Sequence, residues 1–252
     1  MSTKLTLILS TGLLLVLFYS CKQANKKESA EGKDSTAVDS LQDHSGLLPG
    51  IQSYIHDVES EFDQIPVERR EQLNELADFI ETKNSTNAPV NLVFICTHNS
   101  RRSHMGQIWA QAAAFYYQVE NVHCFSGGTE ATAFNARAIH ALRESGFSIG
   151  QMDSSANPLS LATFSNERKP IEAFSKKYDD EANPKDNFAA IMTCSQADKA
   201  CPMVPGAEFR LSIPYEDPKV SDGTPEEEAV YAMRNKQIAT EMSYVFSKIK
   251  KI

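Results

Sequence analysis

The chain opens on an apolar run. Lys4 precedes a stretch from Leu5 to Tyr19 that is interrupted only by small or hydroxyl residues and stops at Ser20-Cys21-Lys22. The run is shorter than the roughly 20 apolar residues a membrane-spanning helix needs. A basic start, a short apolar stretch and a small residue at its end predict a secretory signal over residues 1–20. From Lys22 to about Gly50 the pattern inverts, and KQANKKESAEGKDSTAVDSLQDHSG holds almost no large apolar side chain. Such a segment cannot bury enough surface to offset its ordering entropy, so residues 21–50 are predicted to form a flexible polar tether. Helical periodicity follows over 51–86. Leu73, Leu76, Ala77 and Ile80 mark one face, and Pro66, with Glu68 and Glu71 close behind, suits a first helical position.

From residue 87 onward the rhythm becomes strand, helix, strand, helix. VNLVFIC (90–96) is a short apolar run suited to a buried strand, and the polar loop CTHNSRRS leads into the helical stretch HMGQIWAQAAAFYYQ. A second strand spans Val122 to Ser126 and ends at Gly127-Gly128. Asn135 suits the cap of a helix ARAIHALRES, which stops at Gly146. FAAIMTC (188–194) and Phe209 to Ile213 are further strands, and the last helix runs from about 225 to 250 with Ile238, Met242, Val245 and Ile249 on one face. This alternation predicts an α/β domain over 87–252, a parallel sheet wrapped by helices. Residues 151–187 interrupt it with Pro158, Pro170 and Pro184, and read as an irregular insertion or a β-hairpin.

Composition narrows the function. With 252 residues, 41% hydrophobic and 23% charged, the chain has ordinary globular proportions. The 25 basic and 33 acidic residues leave a net charge of −8, which speaks against a nucleic-acid partner. Much of the excess lies between Ile51 and Thr86, where nine acidic residues face three basic ones. That run suits a docking arm for a basic partner or, more simply, a solvated helix face whose Leu/Ile stripe packs on the main domain. Five Cys are too few and too scattered for a disulfide scaffold, so each is judged in its own setting. Cys124 lies inside a strand and reads as a core residue. Nothing in the His and Cys pattern suggests a metal site, and no cofactor is expected.

The chemistry concentrates between the first strand and its helix. Cys96, Thr97, His98, Asn99, Ser100, Arg101, Arg102 and Ser103 form the pattern Cys, five residues, Arg, Ser. A loop in this place can turn several backbone N–H groups inward as an anion-binding nest, and the helix start adds its positive end. Arg102 supplies a planar fork for two oxygens of a tetrahedral anion. A Cys in the same field is favoured as thiolate and becomes a nucleophile. Ser103 is placed to hydrogen-bond the sulfur, and Asn99 tolerates the left-handed backbone that such a loop needs.

VFICTHNSRRSHM resembles the active-site loop of the low-molecular-weight protein tyrosine phosphatases and the thioredoxin-coupled arsenate reductases, which share one fold. FSGGTEA (125–131), the pair Cys194 and Cys201 in TCSQADKACP, and Glu216-Asp217-Pro218 resemble three further segments of that superfamily. The resemblance covers roughly residues 90–250 and implies a four-stranded parallel sheet flanked by helices. It departs at His98, where members usually have Gly, and at Arg101, where reductases often carry a further Cys. Both changes add positive potential, or potential charge, beside the anion site.

The resemblance implies two reactions. A phosphatase would use Cys96 as nucleophile, the 96–103 loop as cradle and Asp217 as acid. An arsenate reductase would add a thiol relay from Cys96 through Cys194 to Cys201 and a thioredoxin-like electron donor, with Lys199 helping to lower a thiol's pKa. A structural disulfide between Cys194 and Cys201 is the alternative role for that pair. A non-catalytic oxyanion-binding lipoprotein is a third class. The front of the chain bears on this choice: Ser20-Cys21 at the end of the apolar run looks like a bacterial lipoprotein cleavage site, although Phe18 and Tyr19 replace its usual Leu and small residue. A lipid on Cys21 would anchor the domain to a membrane of the cell envelope, facing the periplasm or exterior. An uncleaved signal anchor is the alternative.

Overall fold

A computed structural model describes residues 46–250. The signal over 1–20, Cys21 and the tether as far as residue 45 lie outside the described residues. In chain order the elements are α1 (Pro49–Glu59), a 3-10 turn (Phe62–Gln64), α2 (Val67–Ser85), β1 (Val90–Cys96), α3 (Arg102–Tyr116), β2 (Val122–Gly128) and α4 (Ala136–Glu144). Then come β3 (Ser148–Gln151), β4 (Ser160–Thr163), β5 (Ile171–Ala173), β6 (Phe188–Met192), α5 (Ser195–Ala200), β7 (Ala207–Ser212), a 3-10 turn (Pro218–Ser221) and α6 (Glu227–Ser247). Among the described residues no helix is long and apolar enough to cross a membrane.

Four strands form a parallel sheet in the order β2-β1-β6-β7, flanked by helices. β1 lies inside it, with Leu92 opposite Cys124 on one side and Ala189 on the other. Paired on both edges and covered on both faces, β1 is buried everywhere except at the half-buried Asn91, which is why its sequence is a continuous apolar run rather than an alternation. Because all four strands point the same way, the loops after β1, β2, β6 and β7 gather at one edge of the sheet.

The helices close on this sheet through α3 and α6. Ile238, Met242 and Val245 on α6 are completely buried, as the periodicity predicts. Trp109 on α3 is also fully buried and donates its Nε1–H to Asn235 Oδ1 at 2.8 Å. Gly106 lets α3 sit close to β1, since a Cβ there would stand 2.6 Å from the Phe94 ring. Asn135 caps α4 by accepting from the N–H groups of Arg137 and Ala138, and Gly146 follows the helix at φ +100°.

Residues 51–85 form two helices rather than one continuous helix, because Ser60 to Pro66 turns the chain and Pro66 stands at the cap of α2, one position before its first helical residue. Their apolar stripe packs into the core: Ile51, Ile55, Leu73, Leu76 and Ile80 are fully buried in one cluster with Trp109 and the α6 face. Arg69 on α2 reaches Glu241 on α6 at 2.8 Å and lies over the Tyr215 ring at 4.9 Å, so α2 also braces the segment that follows β7.

Three boundaries differ from the sequence reading. The chain is already packed on the domain before residue 50, because Leu47 bridges Ser165, the Leu48 N–H donates to Phe164 O at 2.9 Å, and α1 starts at Pro49. The interruption at 151–187 is irregular only over 174–187, and its strands go beyond a simple hairpin. It begins at Ser148 and builds a three-stranded antiparallel sheet, β3-β4-β5. β6 stops at Met192, two residues early, because Cys194 turns out of the strand to cap α5.

Candidate active site

Cys96 ends β1 and Arg102 begins α3, and the five residues between them turn tightly. Asn99 takes the left-handed conformation there, at φ +44°. The carbonyls of the turn are tied outward. Cys96 O accepts from the Thr129 N–H at 3.1 Å, Thr97 O from the Glu130 N–H at 2.8 Å, and Ser100 O from the Asn135 N–H at 2.9 Å. His98 O accepts from the hydroxyls of Thr132 and Ser175. Carbonyls tied to donors from outside the loop are what an anion-binding nest of backbone N–H groups requires. Gly128 is what permits this fit. A Cβ there would stand 2.3 Å from Glu130 O and 2.7 Å from both Asn99 N and Thr97 O.

The sulfur sits inside this frame. Cys96 is 3% exposed and its Sγ lies 3.1 Å from Ser103 Oγ. Asn99 Nδ2 donates to the same hydroxyl at 2.9 Å while its Oδ1 accepts from the Lys176 N–H at 2.8 Å. Beneath the loop His104 is fully buried, its ring tilted against Phe134 with centroids 4.1 Å apart, and bonded through Nδ1 to Ser126 Oγ at 3.1 Å. Burial, reinforced by the Lys176 charge, lowers its pKa to about 3, so it is neutral. Burial also lowers Lys176, to about 8. Neither residue was singled out by sequence, since one looks like any helix His and the other comes from the β-rich insertion.

Two arginines divide the remaining space. Arg102 donates from Nη1 to Tyr215 O at 2.9 Å and from Nη2 to Asp217 Oδ2 at 2.6 Å. Asp217, after β7, is thus brought against Arg102 at the start of α3. Arg101 behaves differently from the sequence expectation of added positive potential at the anion. Its guanidinium turns out of the loop, donating from Nε to Tyr231 Oη at 2.8 Å and standing 3.8 Å from Asp222 and 4.0 Å from Asp217. Two carboxylates offset its charge. His98 keeps to the mouth, its side chain 39% exposed and 3.7 Å from Glu130. Tyr215, Asp222 and Tyr231 were not legible as site residues, because they reach it only through the packing of the β7–α6 connection.

The other thiols fall into two groups. Cys124 is a core residue of β2, and burial pushes its thiol up. Cys194 is 1% exposed and lies beside the cradle, with its Sγ 3.4 Å from Thr97 Oγ1. It caps α5 by accepting from the Ala197 N–H at 3.3 Å. Cys201 ends the same helix, half-buried, and burial pushes its thiol up against the opposing pull of Arg210. The cation acting on it is thus Arg210, which donates to Cys201 O at 3.1 Å, rather than Lys199. The segment between the two thiols is helical. All four described cysteines are free.

No family model matches the chain. Curated relatives do. The arsenate reductase of Bacillus licheniformis is 27% identical over 146 residues, 57% of this chain and 84% of the relative. That of Bacillus subtilis is 28% identical over 144 residues, with the same coverage. Similar solved structures include a low-molecular-weight protein tyrosine phosphatase from T. tengcongensis, at 17% identity and TM-score 0.43, covering 64% of this chain and 99% of that one. An arsenate reductase in the phosphate-binding state has 16% identity and TM-score 0.38, covering 64% and 99%. The parallel sheet and the Cys96–Ser103 loop, together with these relatives, support a place in the superfamily of cysteine-dependent enzymes that unites low-molecular-weight protein tyrosine phosphatases and arsenate reductases. Within it, this chain is similar in sequence to the arsenate reductases of bacilli.

Proposed function

We propose that the chain is an arsenate reductase held at the cell envelope by a lipid on Cys21. The observation that carries the reductase reading is the position of Cys194, whose Sγ touches Thr97, the residue next to Cys96. A phosphatase has no use for a second thiol there. In the proposed reaction the Cys96 thiolate displaces a hydroxyl from arsenate and forms an S–As bond in the 96–103 cradle. The Cys194 thiolate then attacks Cys96 Sγ. A Cys96–Cys194 disulfide forms, the S–As bond breaks, and its electron pair leaves on arsenic as arsenite. Cys201 attacks Cys194 and releases Cys96 as thiolate. The Cys194–Cys201 disulfide is reduced by a thioredoxin-like donor, which on an envelope protein must itself lie outside the cytoplasm.

The phosphatase reading rests on Asp217, which stands at the cradle in contact with Arg102. There it is placed to protonate a leaving oxygen and then to activate water on a phosphoryl-Cys96 intermediate.

Assaying the purified protein for arsenate-dependent oxidation of thioredoxin, beside hydrolysis of an aryl phosphate, separates the two readings. Sustained thioredoxin oxidation that requires arsenate supports the reductase. Hydrolysis without it supports the phosphatase, and phosphate binding with neither activity leaves the oxyanion binder. The anchor is checked by mass spectrometry of the mature N-terminus, where an unmodified Cys21 on a normally processed chain rules out lipidation.

Arg102 serves both reactions. Arg102→Lys keeps the charge but replaces the fork with a point charge. It is expected to lower turnover roughly 10²-fold, the loss typical of one transition-state donor. Turnover within about 2-fold of wild type would show that Arg102 is not the clamp.

A further inference from the structure

We propose that Arg101 is a positioning residue for the acid loop: it receives the Asp217 carboxylate when an oxyanion takes Arg102. This rests on the reading of residues 96–103 as an oxyanion cradle, whichever reaction the cradle serves.

Asp217 turns one carboxylate oxygen toward each of two arginines. Oδ2 accepts from Arg102 Nη2 at 2.6 Å, and Oδ1 lies 4.0 Å from Arg101 Nη1. Oδ1 also accepts from the Lys219 N–H at 3.1 Å, so the carboxylate cannot travel far from its own turn. Arg101 is braced from behind. Its Nε donates to Tyr231 Oη at 2.8 Å, and that hydroxyl donates to Asp222 Oδ1 at 2.8 Å. Tyr231 is 1% exposed on α6 and does not move independently of the core. Asp217 and Asp222 cap opposite ends of the turn Pro218–Ser221, so one guanidinium anchored on α6 faces both ends of the acid loop.

A tetrahedral anion arriving at Arg102 competes with Asp217 for the same donors and repels it as a like charge. A carboxylate displaced from Arg102 needs another cation, since an unpaired charge at a partly buried site is costly. Arg137 is held by Glu227 at 2.6 Å and lies 3.8 Å from Asp222. Arg101 already stands 4.0 Å from Oδ1, the Asp217 oxygen that Arg102 does not hold, and a shift of about 1 Å turns that contact into a charge-assisted hydrogen bond. The exchange transfers no proton and makes no covalent bond. With a neutral residue at 101 the carboxylate has no receiver, so it stays on Arg102 and opposes the anion.

The test is a double-mutant cycle on the purified full chain, with inorganic phosphate as the probe and calorimetric affinity as the readout. Arg101→Met is expected to weaken phosphate binding on the order of 5-fold or more when Asp217 is present, and by less than about 2-fold in the Asp217→Asn background, where no charged carboxylate has to move. Arg101→Lys should recover part of the loss, and Arg101→Gln replaces Arg101→Met in the cycle if the latter is unstable. Equal weakening in both backgrounds would mean that Arg101 acts on the anion by its charge alone, and that overturns the proposal. No weakening in either overturns it as well. If phosphate binds neither the wild type nor Asp217→Asn, the cradle reading itself fails and takes this inference with it, an outcome recognisable because it does not depend on residue 101.

Discussion

Cys96→Ser is expected to end both arsenate reduction and aryl-phosphate hydrolysis, with a loss of roughly 10⁴-fold or more, because it removes the nucleophile on which both reactions depend. The substitution exchanges sulfur for oxygen at a residue that is 3% exposed and 3.1 Å from Ser103 Oγ, so the frame around it is expected to survive. What changes is the chemistry: a serine hydroxyl is a far weaker nucleophile than a cysteine sulfur. The variant should therefore melt close to the wild type and still bind inorganic phosphate. In the wild type, iodoacetate should alkylate Cys96 faster than Cys124, and phosphate should slow that reaction. The contrast with Cys124 is informative because burial pushes the Cys124 thiol up and leaves it unreactive. Turnover by Cys96→Ser above about a hundredth of wild type, with no metal or second thiol substituting, would remove Cys96 from the mechanism.

Cys194→Ser and Cys201→Ser are expected to abolish multiple-turnover arsenate reduction while leaving aryl-phosphate hydrolysis largely intact. Hydrolysis needs Cys96, the cradle and Asp217, and neither second thiol takes part. In the proposed relay Cys194 takes the sulfur from arsenic and Cys201 releases it. The two cysteines flank α5, with its six helical residues between them. At 1.5 Å per residue the helix holds their Cα atoms roughly 10 Å apart, beyond the roughly 7 Å that a disulfide spans. A Cys194–Cys201 disulfide therefore requires α5 to melt, and a six-residue helix is short enough for that cost to be small. Oxidised protein should accordingly show faster amide exchange over Ser195–Ala200 than reduced protein, and each single Ser variant should lose that difference. Wild-type arsenate turnover in both variants would make the pair structural and leave hydrolysis as the activity.

The sequence was most informative where chemistry and local geometry coincide. Cys96 to Ser103 sits at a strand-to-helix junction, and the need for a nucleophile, a fork and a left-handed Asn within eight consecutive residues is visible without any fold. The continuous apolar run of β1 and the α6 stripe were legible for the same reason, since burial on both faces or on one stripe dictates a period that survives in one dimension. The Asn135 cap and the Gly146 stop are local too.

Tertiary structure decided what depends on residues far apart in sequence. Nothing local says that residues 148–173 pair as three antiparallel strands, because a register is a relation between segments. Cys194 looked like the end of a strand until its sulfur was needed to cap α5, a competition between sheet pairing and a helix cap that only the packed chain resolves. Arg101 looked like charge added to the anion site. Its guanidinium is instead drawn outward by Tyr231, Asp222 and Asp217, contributed by segments more than a hundred residues away. The residue types along the loop thus pointed to a reaction class, the cysteine-dependent chemistry of oxyanions. The direction in which each charged side chain points was decided by the electrostatics of the assembled fold, because a charge settles against whatever partner burial brings within reach.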